Sequence, residues 1–315
     1  TRRKDGSFDL SFGASLPQVE QSASIQELVT GLDRLLMSDQ FADLTRVDAD
    51  AMIVRYEDLR SGRAWTIDGG RLRLTRDGDE LRIGGDLALL GGYDYATTVE
   101  LNFESQIGSA AAQFGMIFED MAAQDIAAQS AAVAWLDVVR APISGALRGP
   151  VAETGLGNIS GPLQIAEGAI QPTDQTKPIP FTSGRAYFTY SPAEQTLVFD
   201  EVSVSSEWIT ARAEGKAILR GVENGLPKEL LGQFTLTGLT ANPEELLQTP
   251  LSLDAARMSF RMALDPFVMT MGELTLEEQG QVVVVSGEAA AEPDGWRLSV
   301  AAQAEHLDSD VVLAL

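Results

Sequence analysis

Apolar and polar side chains alternate strictly along most of this chain. Leu72 and Leu74 alternate with Arg71, Arg73 and Thr75, and Leu81 and Ile83 follow in the same phase. Val99, Leu101 and Phe103 alternate with Thr98, Glu100 and Asn102. Phe188 and Tyr190 lead through Ser191-Pro192 to Leu197 and Phe199, and Phe234 and Leu236 follow. Trp296, Leu298 and Val300 close the series. A period of two marks strands with one buried face. Asp77-Gly78, Asn224-Gly225 and Asp294-Gly295 are the hairpin signals between such runs.

The segment RMSFRMALDPFVMTM, residues 257–271, carries four of the eight methionines. Its alternation predicts two strands broken at Asp265-Pro266. Met258, Phe260, Met262, Leu264, Phe267, Met269 and Met271 fall on one side, expected to be concave. Glycine stands before several alternating runs, at Gly85, Gly161, Gly215 and Gly232, and reads as a kink or bulge opening each strand. The spacing is irregular, so the pattern is a meander and not a strict solenoid.

Two segments depart from period two. Ser24 and Glu27 fit a capping box before Ile25, Leu28, Val29, Leu32, Leu35 and Leu36, which recur at helical spacing. Residues 105–139 are rich in Ala and Gln, poor strand formers, and place Phe114, Ile117, Phe118 and Met121 on one helical face. The expected organisation is a helix with a β-rich segment over 1–104, a helical connector over 105–140, and a continuing meander over 141–315. The fold class is mainly β: a long, twisted, curved antiparallel sheet with a few helices. Few bulky aromatics are present to fill a thick two-sheet core, which favours one curved sheet over a sandwich.

The chemistry is read by elimination. Acids outnumber bases 46 to 23 and the net charge is −23, which repels phosphate backbones and argues against nucleic-acid partners. Cysteine is absent, which removes disulfides and thiolate chemistry. His306 is the single histidine and no G-x-S-x-G elbow accompanies it, so it reads as a surface residue and not as part of a triad. Asp48 and Asp50, Asp77 and Asp79, and Asp308 and Asp310 lack EF-hand spacing and read as solvated turn acids. The loop from Gly155 to Gly161 runs into strand-like Pro162-Leu-Gln-Ile, so it is a turn and not a dinucleotide loop. A glycan hydrolase would need aromatic platforms, for which Trp65, Trp135, Trp208 and Trp296 are the candidates. No enzyme, cofactor or metal is expected. An outer-membrane barrel is disfavoured by the helical segments and the scarcity of aromatic girdles.

Several segments resemble the AsmA-like family of bacterial proteins (the AsmA, TamB and YhdP types). LDVVRAPISGALRG, residues 136–149, is similar to its alanine-proline-serine-glycine junctions. Residues 170–219 resemble its recurring strand–turn–strand units, and 55–89 resemble the β-rich region of YhdP-type members. The resemblance covers most of residues 47–315 through loose, repetitive motifs. It implies a β-gutter whose hydrophobic inside carries phospholipid acyl chains through the periplasm between inner and outer membrane. It also implies an inner-membrane anchor helix, which this sequence lacks, and possible envelope protein partners. Starting at Thr1 without an apolar leader, the chain is expected to be a piece of a longer one. The expected lining comprises Leu72, Leu74, Leu81, Ile83, Val99, Leu101, Phe103, Phe188, Tyr190, Leu197, Phe199, Phe234, Leu236, Trp296, Leu298, Val300 and the Met/Phe/Leu stripe from Met258 to Met271. The competing expectation is a structural or protein-interaction module with a closed core and no ligand.

Overall fold

A computed structural model describes residues 1–4, 25–59, 61–90, 96–109, 111–152, 155–223, 225–242, 251–253, 256–278 and 281–304. Along the chain run α1 (Ile25–Leu36), β1 (Arg46–Asp58), β2 (Arg63–Asp77), β3 (Glu80–Leu90), β4 (Thr97–Gln106), β5 (Ala112–Ala122) and α2 (Ala123–Ala127). A 3-10 helix (Ala131–Val138) precedes β6 (Val139–Arg140), β7 (Pro142–Ala152), β8 (Gly155–Leu156), β9 (Ile159–Ile165), β10 (Gly168–Ile170) and β11 (Ile179–Phe181). Then come β12 (Ser183–Ser191), β13 (Thr196–Ser205), β14 (Ile209–Arg220), β15 (Glu229–Ala241), β16 (Leu251–Leu253), β17 (Ala256–Leu264), β18 (Phe267–Glu278), β19 (Gln281–Glu292) and β20 (Gly295–Ala304). The expected class holds: antiparallel meanders with few helices. The chain divides into two compact units, Thr1–Met121 with Ile143–Gly161, and Ala122–Pro142 with Pro162–Leu315.

In the first unit, β1 to β5 pair antiparallel in sequence order. Asp77-Gly78 makes the β2–β3 hairpin with Gly78 at φ 60, where a left-handed residue matches the strand twist. Leu74, Ile83, Phe103 and Phe114 stand opposite one another across four strands. One end of this face is closed by α1, where Leu36 packs with Leu74 and Leu81, joined by Leu32 and Ile107. The Arg76 guanidinium donates to the Leu36 carbonyl at 3.0 Å, satisfying an acceptor that the helix end leaves open, and to the Ala42 carbonyl of the following loop at 3.1 Å. Leu35, expected on the packed stripe of this helix, is exposed. Ser24 lies outside the described residues.

The expected helix over 105–139 is corrected. Residues 112–122 form β5, paired to β4 from Thr98↔Glu119 to Ser105↔Ala112. Phe114, Met116 and Phe118 alternate with Gln113, Gly115 and Ile117, so period two overrides the Ala/Gln propensity once β4 offers an unpaired edge. Among the described residues of this range, helix appears in α2 and the 3-10 turn.

In the second unit, β12 to β15 and β17 to β20 form one antiparallel run in sequence order. The Asp265-Pro266 turn separates β17 from β18, with Leu264 opposite Phe267. A second, three-stranded sheet of β11, β10 and β6 belongs to the same unit. Register shifts of the bulge type interrupt β12–β13, β13–β14, β14–β15, β17–β18 and β18–β19. Such shifts bend and twist the strands. Gly215 and Gly232 sit in mid-strand and open no strand, contrary to expectation. A Cβ on Gly215 would stand 2.3 Å from the Gln233 carbonyl oxygen, and one on Gly232 would stand within the Phe260 ring contact, so their service is close approach.

Candidate functional site

Cross-strand pairing assembles the second unit's apolar residues into three continuous rows. One runs Tyr190, Leu197, Ala217, Gly232, Phe260, Met271, Gly287 and Val300. The next runs Phe188, Phe199, Gly215, Phe234, Met258, Leu274, Val285 and Ala302. A third runs Leu219, Leu230, Met262, Met269, Ala289 and Leu298. The expected lining residues of this unit therefore share one face. Leu274 joins it because the extra residue Gly272 resets the phase of β18. Sequence alternation alone missed that reset, and it missed the small members of each row.

This face is covered at one end and open at the other. Over β12–β15, Phe188, Tyr190, Leu197, Phe199, Phe234 and Leu236 are buried. The Trp135 edge meets Phe199 at 5.7 Å, and Phe199 and Phe234 meet at 5.5 Å across the Gly215 strand. Those residues are core, not open lining: the 3-10 turn and its Trp135, misread as regular helix, supply the cover. Over β17–β18, Met258, Phe260, Met262, Leu264, Met269 and Met271 are half-buried, whereas Phe267 is buried. On β20, Leu298 and Val300 are 68% and 73% exposed.

The register lays a row of small residues along β19 between bulkier neighbours, a trough one strand wide. Its floor is Gly287, Ala289 and Ala291, opposite Val300, Leu298 and Trp296 on β20. Met271 and Met269 form the other wall, opposite Gly287 and Ala289. A strand spacing of about 4.8 Å puts the two wall backbones about 10 Å apart. Gly287 is required there, since a Cβ would stand 2.7 Å from the Ser299 carbonyl oxygen. The groove is stopped at one end, where the Phe267 and Trp296 rings meet edge-on at 5.9 Å. The Trp296 indole N–H donates to the Lys177 carbonyl at 2.7 Å, which fixes the stopper.

The opposite, polar face bears a depression of about 760 Å³. Its lining includes the cross-strand row Val198, Lys216, Gln233, Ser259 and Glu273 and the row Glu214, Thr235, Arg257 and Thr275.

In the first unit, Leu72, Leu74, Leu81, Ile83, Val99, Leu101 and Phe103 also share one face. Leu74, Leu81 and Val99 are buried, Leu72, Ile83 and Phe103 half-buried, and Leu101 exposed. The polar side carries ion pairs: Arg73 Nε donates to Asp48 at 2.7 Å and Arg71 Nε to Asp50 at 3.0 Å. Hydrogen bonds from Arg46 and Arg73 lower the Asp48 carboxyl to about 2. Both aspartates of that pair therefore face arginine. Among the described residues no group of three or more His, Asp or Glu side chains could hold a metal. His306, Asp308 and Asp310 lie outside the described residues.

Trp65 stacks on Tyr56 at 5.4 Å in the first unit, while Trp135 and Trp296 are used in the apolar face of the second. No described helix is long and apolar enough to cross a membrane. Comparison with protein-family models, curated proteins and solved structures finds no match.

Proposed function

We propose that this chain is a lipid-binding segment that holds acyl chains against its apolar sheet face. The observation that carries the reading is the groove along β19: uncharged, one strand wide, stopped by Phe267 and Trp296, and walled by exposed Leu298 and Val300. Apolar side chains this exposed and contiguous mark a binding surface. Each methylene laid in the groove contributes about 0.8 kcal/mol. A lining without charges or pockets grips the chain evenly along its length. It suits passage from site to site better than capture, so the segment acts by binding and not by catalysis. With the AsmA-like resemblance, the full protein is read as an inner-membrane-anchored periplasmic carrier of phospholipid toward the outer membrane.

The test is lipid extraction from purified protein followed by mass spectrometry, with Leu298→Lys and Val300→Lys alongside. Co-purifying acyl lipid that both variants lose is the expected result. Lipid-free protein that also fails to take up a fluorescent fatty acid would sink the reading. The covered half of the face, where Trp135 packs on Phe199, favours the second reading, a closed structural or protein-binding module. That module predicts Leu298→Lys protein indistinguishable from the parent in acyl uptake.

A further inference from the structure

Four thioethers gather on adjacent strands of the second unit. Met262 on β17 stands directly opposite Met269 on β18, and Met271 lies two residues along the same face, opposite Phe260. Met258 is the next apolar residue before Phe260 on β17. Directly opposed residues have Cβ atoms about 5 Å apart, and diagonal neighbours about 7–8 Å, within reach of long side chains. Methionine adds three freely rotating bonds beyond that Cβ. All four residues are half-buried. The face around them carries Phe260, Leu274, Gly287 and Ala289, so neither carboxylate nor ammonium competes for them.

We infer that Met262, Met269 and Met271 form a binding site for a soft monovalent metal ion of the copper(I) class. Thioether sulfur is a soft, uncharged donor that selects copper(I) over the hard cations carboxylates take. A chain without cysteine offers no thiolate to outcompete it. Three neutral ligands leave a net charge of one on the site. A monovalent soft ion tolerates this in a half-buried apolar setting far better than a strongly hydrated divalent ion. Binding requires no redox change, since the metal enters and leaves as copper(I).

The test is anaerobic titration of lipid-free protein with copper(I) under ascorbate, against bicinchoninate as chromogenic competitor. One equivalent is expected to leave the competitor. Met262→Leu and Met269→Leu, which conserve volume, are each expected to weaken binding by roughly ten-fold or more. Met37→Leu, at an exposed methionine of the first unit, is expected to leave it unchanged. A second readout does not depend on how the variants fold: in methyl-labelled parent protein, silver(I) shifts the Met262, Met269 and Met271 signals and leaves Met37 in place. No withdrawal of copper from the competitor, equal binding by the Met262→Leu/Met269→Leu double variant, or uniform methyl shifts would overturn the inference. The acyl assay above uses no metal, so either result stands without the other.

Discussion

Gly215 and Phe199 show how single residues set this face. The Phe199 and Phe234 rings close over a strand position that has no side chain. Gly215→Ala is expected to destabilise the second unit by about 1–3 kcal/mol through overpacking, measured by urea denaturation. Phe199→Ala removes a buried ring instead and is expected to cost about 3–5 kcal/mol. Leu298→Ala, on the exposed wall, is expected to stay within about 0.5 kcal/mol while weakening acyl binding. Two titrations are placed by their surroundings. Asp48 has a folded value of about 2 against an ordinary 3.8, so its contribution is present above pH 3.8 and lost as pH falls through 2; carboxyl-detected NMR checks the midpoint. Burial raises the Tyr190 hydroxyl above 10, so its contribution is present below pH 10 and lost as pH rises through its folded value; ultraviolet titration checks this.

At the scale of elements, α1 is tied to the first unit's sheet at its carboxyl end. Arg76 bonds its last carbonyl, that of Leu36, and the Leu36 side chain anchors it on Leu74 and Leu81. Arg76→Ala is expected to cost about 1 kcal/mol and to speed hydrogen exchange across α1 while β12–β15 stay protected. The strands were legible in the sequence because alternation is a direct record of one buried face: Leu72/Leu74, Phe188/Tyr190 and Trp296/Leu298 all landed as read. The hairpins at Asp77-Gly78 and Asp294-Gly295 were legible for the same reason, since the turn chemistry is local. β5 was not, because Ala112, Gln113 and Ala122 carry helical propensity and only pairing with β4 decides against it. The groove floor was not legible either. Gly287, Ala289 and Ala291 look like weak strand residues until the register places Met and Leu on either side.

For the whole molecule, charge is the dominant long-range quantity. A net charge of −23 makes the chain repel itself, and screening relieves that repulsion within about 8 Å at physiological salt. Thermal stability is therefore expected to rise between low ionic strength and about 0.15 M salt, read by calorimetry. An unchanged melting temperature would mean that ion pairs such as Arg297 with Glu288 and Glu292 already balance the surface. Each is exposed, and exposed pairs contribute about 0–1 kcal/mol, which is too little for that.

The second unit carries two strands built alike, each floored by alternating small residues between bulkier neighbours. In β14 the trough is filled from within, by phenylalanines meeting over Gly215. In β19 the flanks are Met269, Met271, Leu298 and Val300, aliphatic side chains and thioethers in place of rings. The first trough is thus a built-in reference for the second. Swapping rings inward at Met271 and Val300 would make the protein its own competitive inhibitor. The stability gained by that double change would weigh, in one molecule, what an outside guest is worth in the vacant seat.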